Sequence, residues 1–330
     1  MMKRSESMWV VVLLILGTVL GGSGLSPATA APAKGSYPEK PITYVCHTTA
    51  GGASDMFTRD VARMLTAEKI IPVAVTVENK PGGSGAVAAN FIRGQQGNPY
   101  YILNVGDAFV LGPLSDSTIP GYKDVTPIAR LAYDATSIVV RADSKFKTIA
   151  DLVNEAKKKP GMINAGVTTV AGFNHMTILV LEQKTGAKYN IINFTDAGES
   201  LTSLLGGHID FITTEPNTAK NQARAGKVRI LATVTDNRLQ SLPDIPTLKE
   251  QGYDVVLYMH RGLVAPKNIP KEAETFLKDA MKKLINSAAW KEYVVKRELI
   301  TSFAEGDEYV NGLENETKVK AELLKLVTRK

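Results

Sequence analysis

"PITYVCHTTAGGASDMFTRDVARML", residues 41–65, places a β-rich run, a pair of glycines and a helical period in immediate succession. Tyr44 and Val45 are strand-formers flanked by Ile42 and Cys46, which predicts a strand over 42–47. Phe57, Val61 and Leu65 then recur every fourth position, the spacing of one helix face. Gly51 and Gly52 stand at the junction. A helix start carries unsatisfied N–H groups and about half a positive charge, so glycines ahead of it let an anion approach the backbone. They equally permit a tight strand-to-helix turn. Ser54 or Asp55 is expected to cap the helix.

Working outward, the same unit recurs. Strands are predicted at 73–78, 100–105, 162–167, 189–194, 209–214 and 228–234, with helical periods between them, such as Leu201, Leu204 and Leu205. Alternation of this kind gives an α/β fold with largely parallel sheets covered by helices. Two stretches break it, 128–143 and 254–267, each long, extended and free of helical period. They are expected to be crossover strands joining two lobes, one of residues 36–135 plus 256–330 and the other of 136–255. The helical periods within 270–327 return to the first lobe.

Glycine-rich junctions recur as well. Gly82, Gly83 and Gly85 precede a second helix, and Thr168, Thr169 and Gly172 a third. If the carboxyl ends of the strands face one cleft, these junctions meet there, as ligand sites of open α/β sheets do. The second junction also has the form G-x-G-x-x-A, but Asn79-Lys80-Pro81 lengthens the turn and Asn104 stands where a dinucleotide fold needs an acid. No P-loop, nucleophile elbow or H-E-x-x-H motif occurs, and the four histidines are scattered. No cofactor, no metal and no enzymatic activity are expected. An exported hydrolase using Cys46 or His175 with Asp55 is the rival from another class, and the sequence offers it no oriented nucleophile–base pair.

The N-terminus carries Lys3 and Arg4, an apolar run at 9–20 and Ala28-Thr29-Ala30, which together predict a secretory signal peptide cleaved near Ala30. The run is well short of the roughly 20 residues that span a bilayer. Loss of Lys3, Arg4 and Glu6 removes two positive charges and one negative, taking the formal charge from +6 to +5. The remaining excess is lysine on helix faces, with no basic block interleaved with aromatics, so nucleic acid is excluded as a partner. Cys46 is the only cysteine and cannot close an internal disulfide; its place in an apolar strand predicts burial.

The stretches "YPEKPITYVCHTTAGGASD", "VTVENKPGGSGAVAANFI", "LTSLLGGHIDF", "RLQSLPDIPTLKEQGYDV" and "GLVAPKNIPKEA" together resemble successive landmarks of the substrate-binding proteins of tripartite tricarboxylate transporters, the Bug family. The resemblance implies a two-lobed periplasmic-binding-protein fold of type II-like form, with a central cleft, two mixed sheets flanked by helices and two crossover strands. It implies a periplasmic, monomeric protein that closes on a small carboxylate and delivers it to permease subunits in the membrane. The carboxylate could be a di- or tricarboxylate, an amino acid or an aromatic acid; a sensory partner of a membrane receptor would look the same in sequence. Carried onto this chain, the ligand-binding positions are Thr48, Thr49, Ala50, Gly51, Gly52, Ala53, Ser54 and Asp55 in the first loop. In the second lobe they are Thr168, Thr169, Ala171, Gly172, Asn174 and His175. Asp107, beyond the strand at 100–105, joins the set. The chain departs from the family pattern at Cys46-His47, where a proline and an aromatic are usual, and at Asn193-Phe194-Thr195-Asp196, which replaces P-Y-K-G. The second change removes a lysine and adds an acid, so Thr195 and Asp196 are expected to meet a ligand bearing an amine or hydroxyl.

Overall fold

Two mixed sheets with helices on both faces organise the chain, and the chain passes between them side by side at a narrow crossing. The computed structural model describes residues 36–328 apart from Thr169; the expected signal peptide and its cleavage point lie outside them. The first sheet holds β1 (Ile42–Cys46), β2 (Val75–Asn79), β3 (Tyr101–Val105) and β4 (Val125–Asp134). The second holds β5 (Ser137–Arg141), β6 (Asn164–Val167), β7 (Asn190–Asn193), β8 (Phe211–Thr214) and β9 (Val228–Thr233). β10 (Met259–Pro266) and β11 (Leu299–Glu305) return to the first, giving the orders β11-β4-β10-β3-β1-β2 and β7-β6-β8-β5-β9. β1 pairs parallel with β2 and β3, and β6 with β7 and β8; β10 and β5 run antiparallel to their neighbours.

Alternating side chains of one strand enter opposite faces, so a sheet covered on both sides is apolar throughout. Ile42 and Tyr44 of β1 join one buried cluster with Phe57, Val61 and Leu65, while Val45 joins another with Ile92 and Val105. In the second sheet Ile138 and Val140 face Phe146, Leu152 and Phe211, and Val139 faces Leu204 and Ile230. Cys46 is buried in β1.

The predicted strand at 128–143 is two strands in two sheets, with only Ala135 and Thr136 between them. The stretch 254–267 becomes a strand only from Met259. Val234, just beyond β9, links the two passages: its N–H donates to the Thr136 carbonyl at 2.9 Å, and its carbonyl accepts from Leu257 N–H at 3.3 Å. β11 has no counterpart among the expected strands. It sits at the sheet edge and is mostly half-buried, which leaves little apolar signature, and it begins once Glu298 (φ 60°) turns the chain out of the preceding helix.

The helices that matter to the site follow strands: α1 (Ala53–Ala67) after β1, α2 (Ala86–Gly94) after β2 and α3 (Asp107–Ser115) after β3. α4 (Ile149–Lys158) follows β5, α5 (Phe173–Thr185) follows β6, α6 (Ala197–Leu205) follows β7 and α7 (Pro216–Arg224) follows β8. α8 (Lys271–Asn286) and α9 (Ala288–Arg297) pack on the first sheet through Leu277, Leu284 and Trp290. α10 (Gly306–Thr328) starts on the first sheet, with Tyr309 and Leu313 buried there, and ends with Leu323 in the core of the second. Among the described residues no helix is long and apolar enough to cross a membrane.

Candidate functional site

A cavity of about 480 Å³ lies where the carboxyl ends of β1, β2, β3, β6 and β8 meet. Each strand-to-helix turn contributes to its wall: Ser54 from α1, Gly83 and Ser84 ahead of α2, and Gly106 and Asp107 at α3. From the second sheet come Thr168 and Ala171–Asn174 at α5, and Glu215 at α7. Met259 and Arg261 of β10 form part of the wall, and Leu324 of α10 closes one side.

The helix starts on this wall are bare. Gly52, Gly85, Gly106, Gly172 and Glu215 occupy the N-cap positions of α1, α2, α3, α5 and α7 without any side-chain cap. Off the cavity wall, α4, α6 and α9 are capped by Thr148, Asp196 and Ser287; α8, with Pro270 at its N-cap, is an exception. Uncapped N–H groups at a helix start attract anions. At the second turn Gly82, Gly83, Ser84 and Gly85 all have positive φ, from 51° to 125°. Successive N–H groups in such a conformation point into one concavity. Among the described residues the N–H groups of Gly83, Ser84, Gly172, Phe173 and Asn174 have no protein acceptor.

The first turn is built otherwise. Ser54 and Asp55 lie inside α1 and cap nothing, contrary to expectation, because the N-cap falls at Gly52. Asp55 is buried and reaches back: its carboxylate accepts from Gly51 N–H at 2.9 Å, Arg59 Nε at 3.0 Å and Asn79 Nδ2 at 2.7 Å. These donors, Arg59 first, hold its pKa at about 2. Gly52 N–H is directed to the Thr49 carbonyl at 3.4 Å, and Asn79 ties down the Thr48 carbonyl at 2.9 Å. Of the eight expected positions from Thr48 to Asp55, only Ser54 lines the cavity.

Asp107, Thr168, Ala171, Gly172 and Asn174 reach the wall as well; Thr169 lies outside the described residues. His175 is buried beneath the wall, where its Nδ1 accepts from Ala171 N–H at 2.9 Å and so supports that residue's positive φ of 63°. Thr195 and Asp196 stand elsewhere. Both are exposed at the start of α6, with Asp196 Oδ1 accepting from Glu199 N–H and Thr195 donating to the Glu199 carboxylate.

Arg261 and Glu215 were absent from the expected set. Buried Arg261 donates from Nε to Asp134 Oδ2 at 2.6 Å and from Nη1 to Ser54 Oγ at 2.9 Å, with its guanidinium over the Phe57 ring. Burial opposes its charge, but the Asp134 carboxylate raises its pKa overall, so it remains a cation. Glu215 is half-buried, bonded to the Asn174 side chain; burial first, then the negative charge of Asp134, raises its pKa, against the opposing pull of the Arg261 charge. His47, also on the wall, sits 3.3 Å through Nδ1 from the Asn104 carbonyl. That oxygen can only accept, so Nδ1 carries the proton; burial lowers the ring's pKa and keeps it neutral at pH 7. Asp107 pairs with Lys320 of α10, which also holds Glu316, and Glu316 lies 2.7 Å from His260 Nδ1. A lone arginine inside the apolar run "YMHRGLVAP" was a readable signal for Arg261. Glu215 had a weaker one, an acid between a strand and a proline at the first helical position.

No group of three or more metal-ligating side chains gathers among the described residues. Residues 58–327 match the sequence profile described as the tripartite tricarboxylate transporter family receptor, TctC. A UPF0065 protein from the gbd 5' region of Cupriavidus necator is 31% identical over 315 residues, 92% of this chain and 95% of that protein. The crystal structure of a TctC solute-binding protein from Polaromonas, without ligand, superimposes with a TM-score of 0.77 at 29% identity over 88% of this chain and 99% of that one. A protein of R. palustris solved with adipate has the same fold, with a TM-score of 0.74 at 20% identity over 89% and 99% of the two chains.

Proposed function

Because the chain belongs to the tripartite tricarboxylate transporter receptor family, we propose that it takes a small carboxylate into the cavity between its sheets and hands it to a membrane transporter. The observation that carries this reading is the convergence of uncapped helix starts, and of the N–H groups at Gly83–Ser84 and Gly172–Asn174, on one cavity. The volume of about 480 Å³ is that of an ordinary small-molecule site. Charge-assisted hydrogen bonds contribute roughly 1.5–3 kcal/mol each, and a few of them, less the cost of association, reach the roughly 8 kcal/mol of micromolar binding.

The two turns with free amides come from different sheets. A ligand touching both stabilises whichever arrangement brings the sheets together, which is how capture becomes closure. In this reading residues 36–135 with 256–330 form one lobe and 136–255 the other, joined by the hinge at Thr136, Val234 and Leu257. The exception is the end of α10, expected on the first lobe, which packs through Leu323 on the second and is a third link between them beside the hinge. Removal of the N-terminal segment as a signal peptide, a periplasmic location, a monomeric state and the absence of catalysis belong to the same reading.

Calorimetric titration with di- and tricarboxylates, amino acids and aromatic acids tests it. At least one ligand is expected to bind one-to-one and unaltered. Absence of any binder, or chemical turnover of a bound one, would overturn the assignment.

A further inference from the structure

Away from the hinge, two contacts of different character join the second lobe to the first. In one, α10 buries Leu323 in the core of the second sheet and sets Leu324 on the cavity wall. Withdrawing Leu323 would return apolar surface to water, so this link persists as the lobes move. The other contact is polar and thin. Lys220 of α7 pairs with Glu298, which stands between α9 and β11, and Asn217 Nδ2 donates to the Arg297 carbonyl at 3.4 Å. Beside the pair a cavity of about 350 Å³ lies between Asn237–Ser241 of the second lobe and Val294, Val295 and Leu299–Thr301 of the first. Polar contacts across a gap, unlike a side chain set in a core, can be exchanged for water and remade.

The pair is nevertheless no ordinary surface bridge. The Glu298 side chain is 1% exposed and that of Lys220 19%. Solvent weakens an exposed pair, whereas a buried one keeps its attraction, and removal of one partner strands the other. The attraction therefore acts while the lobes are together and is lost when they part. Both halves are also tied to helices that begin at the ligand cavity. Lys220 lies on α7, whose N-cap Glu215 stands on the wall. Arg297, next to Glu298, donates from Nη2 to Asp60 of α1 at 2.9 Å, and Ser54 in the first turn of α1 stands on the wall opposite.

We propose that Lys220 and Glu298 are a latch for the closed arrangement: neither lines the ligand cavity, but together they hold the two helices whose starts do. The inference rests on the two-lobed closure read above and supplies its positioning residues, whichever carboxylate is bound. Apparent affinity is intrinsic affinity scaled by the fraction of protein competent to bind, so a weaker latch lowers the affinity of every ligand by one factor.

The test is Lys220→Met, which keeps the apolar stem and removes the charge, with Lys220→Arg, Glu298→Gln and the Lys220→Met/Glu298→Gln double variant. Each is titrated calorimetrically with the panel of di- and tricarboxylates, amino acids and aromatic acids. Lys220→Met and Glu298→Gln are each expected to weaken every panel member that binds by the same factor, about three- to tenfold. The double variant should lose no more than the weaker-binding single one, and Lys220→Arg, which keeps the cation, should stay within about twofold of the unaltered protein. Unchanged affinities in Lys220→Met, losses that add in the double variant, or a loss confined to one ligand overturn the latch. Should Glu298→Gln fail to fold, the two Lys220 variants decide the matter. If no panel member binds the unaltered protein, the carboxylate reading fails separately, and small-angle X-ray scattering of the ligand-free chains decides the latch: a larger radius of gyration in Lys220→Met supports it, and an equal one overturns it.

Discussion

The turn between β1 and α1 closes on itself, whereas the turn between β2 and α2 opens to the cavity. Both are glycine-rich, both follow a parallel strand of the first sheet and both precede an uncapped helix. What separates them is one side chain. In the first turn Asp55 lies at the third helical position and its carboxylate takes the Gly51 N–H, so the donors that glycine bares are already satisfied. In the second turn the third helical residue is Ala88, which offers no acceptor, and the amides of Gly83 and Ser84 remain for a ligand. A glycine-rich helix start thus marks a potential anion site, and the residues of the first turn of helix decide whether it stays available.

The largest break in this contrast is Asp55→Ala. It removes the acceptor of three hydrogen bonds in a buried position, and a loss of about 2–4 kcal/mol in urea unfolding is expected. Ligand affinity should change by no more than about threefold, since the first turn is not the anchor. The pH dependence gives a second readout. A carboxyl held at about 2 in the folded chain, against an ordinary 3.8, contributes stability that is fully present above pH 3.8 and is lost as pH falls through about 2. Arg59 is half exposed and its attraction screened, so this contribution is about 1–2 kcal/mol. The stability gap between Asp55→Ala and the unaltered chain should narrow by that amount on acidification. A gap independent of pH would mean that Asp55 acts through packing alone.

Gly83→Ala probes the open turn. Gly83 has φ 54°, and a Cβ there would stand 3.1 Å from that of Ala86, so the turn must shift. A side chain in the left-handed region costs about 1–2 kcal/mol, and displacement of the Gly83 and Ser84 amides should weaken the best carboxylate ligand by about tenfold. Unchanged affinity would place the anion elsewhere on the wall.

Much of this architecture was legible. Strand-helix alternation, the two passages between sheets and the convergence of turns at strand carboxyl ends all follow from local periodicity and from the way parallel sheets are covered. The site was legible only as backbone. Gly172 could be placed on a turn ahead of a helix from the residues themselves, because helix starts expose amides whatever the surrounding fold, whereas Ala171 and Asn174 came only with the family resemblance; all three stand on the cavity wall. Glu215 and Arg261 could not be joined in advance, since they lie on different sheets and their proximity depends on how β8 and β10 are brought together. Asp196 and Asp55 were open to two readings for one reason: an acid near a helix start can serve the helix or the ligand, and here one reaches Glu199 N–H and the other Gly51 N–H.

Gly52→Ala is the smallest of these changes and tests the closed turn from the other side. Unlike Gly51, whose φ of 87° favours glycine, Gly52 has φ −72° and ψ 166°, ordinary for any residue at an N-cap. A Cβ there would meet the Thr49 carbonyl oxygen at 3.5 Å, a normal contact. Stability should therefore shift by no more than about 0.5 kcal/mol, with reduced freedom of the unfolded chain offsetting any loss at the cap. Affinity should stay within about twofold, because neither the cavity wall nor the Asp55 carboxylate feels the added methyl. A tenfold loss on this change, with stability intact, would reverse the contrast and return the anion to the first turn, since only a ligand seated directly on Gly52 could register one methyl group there.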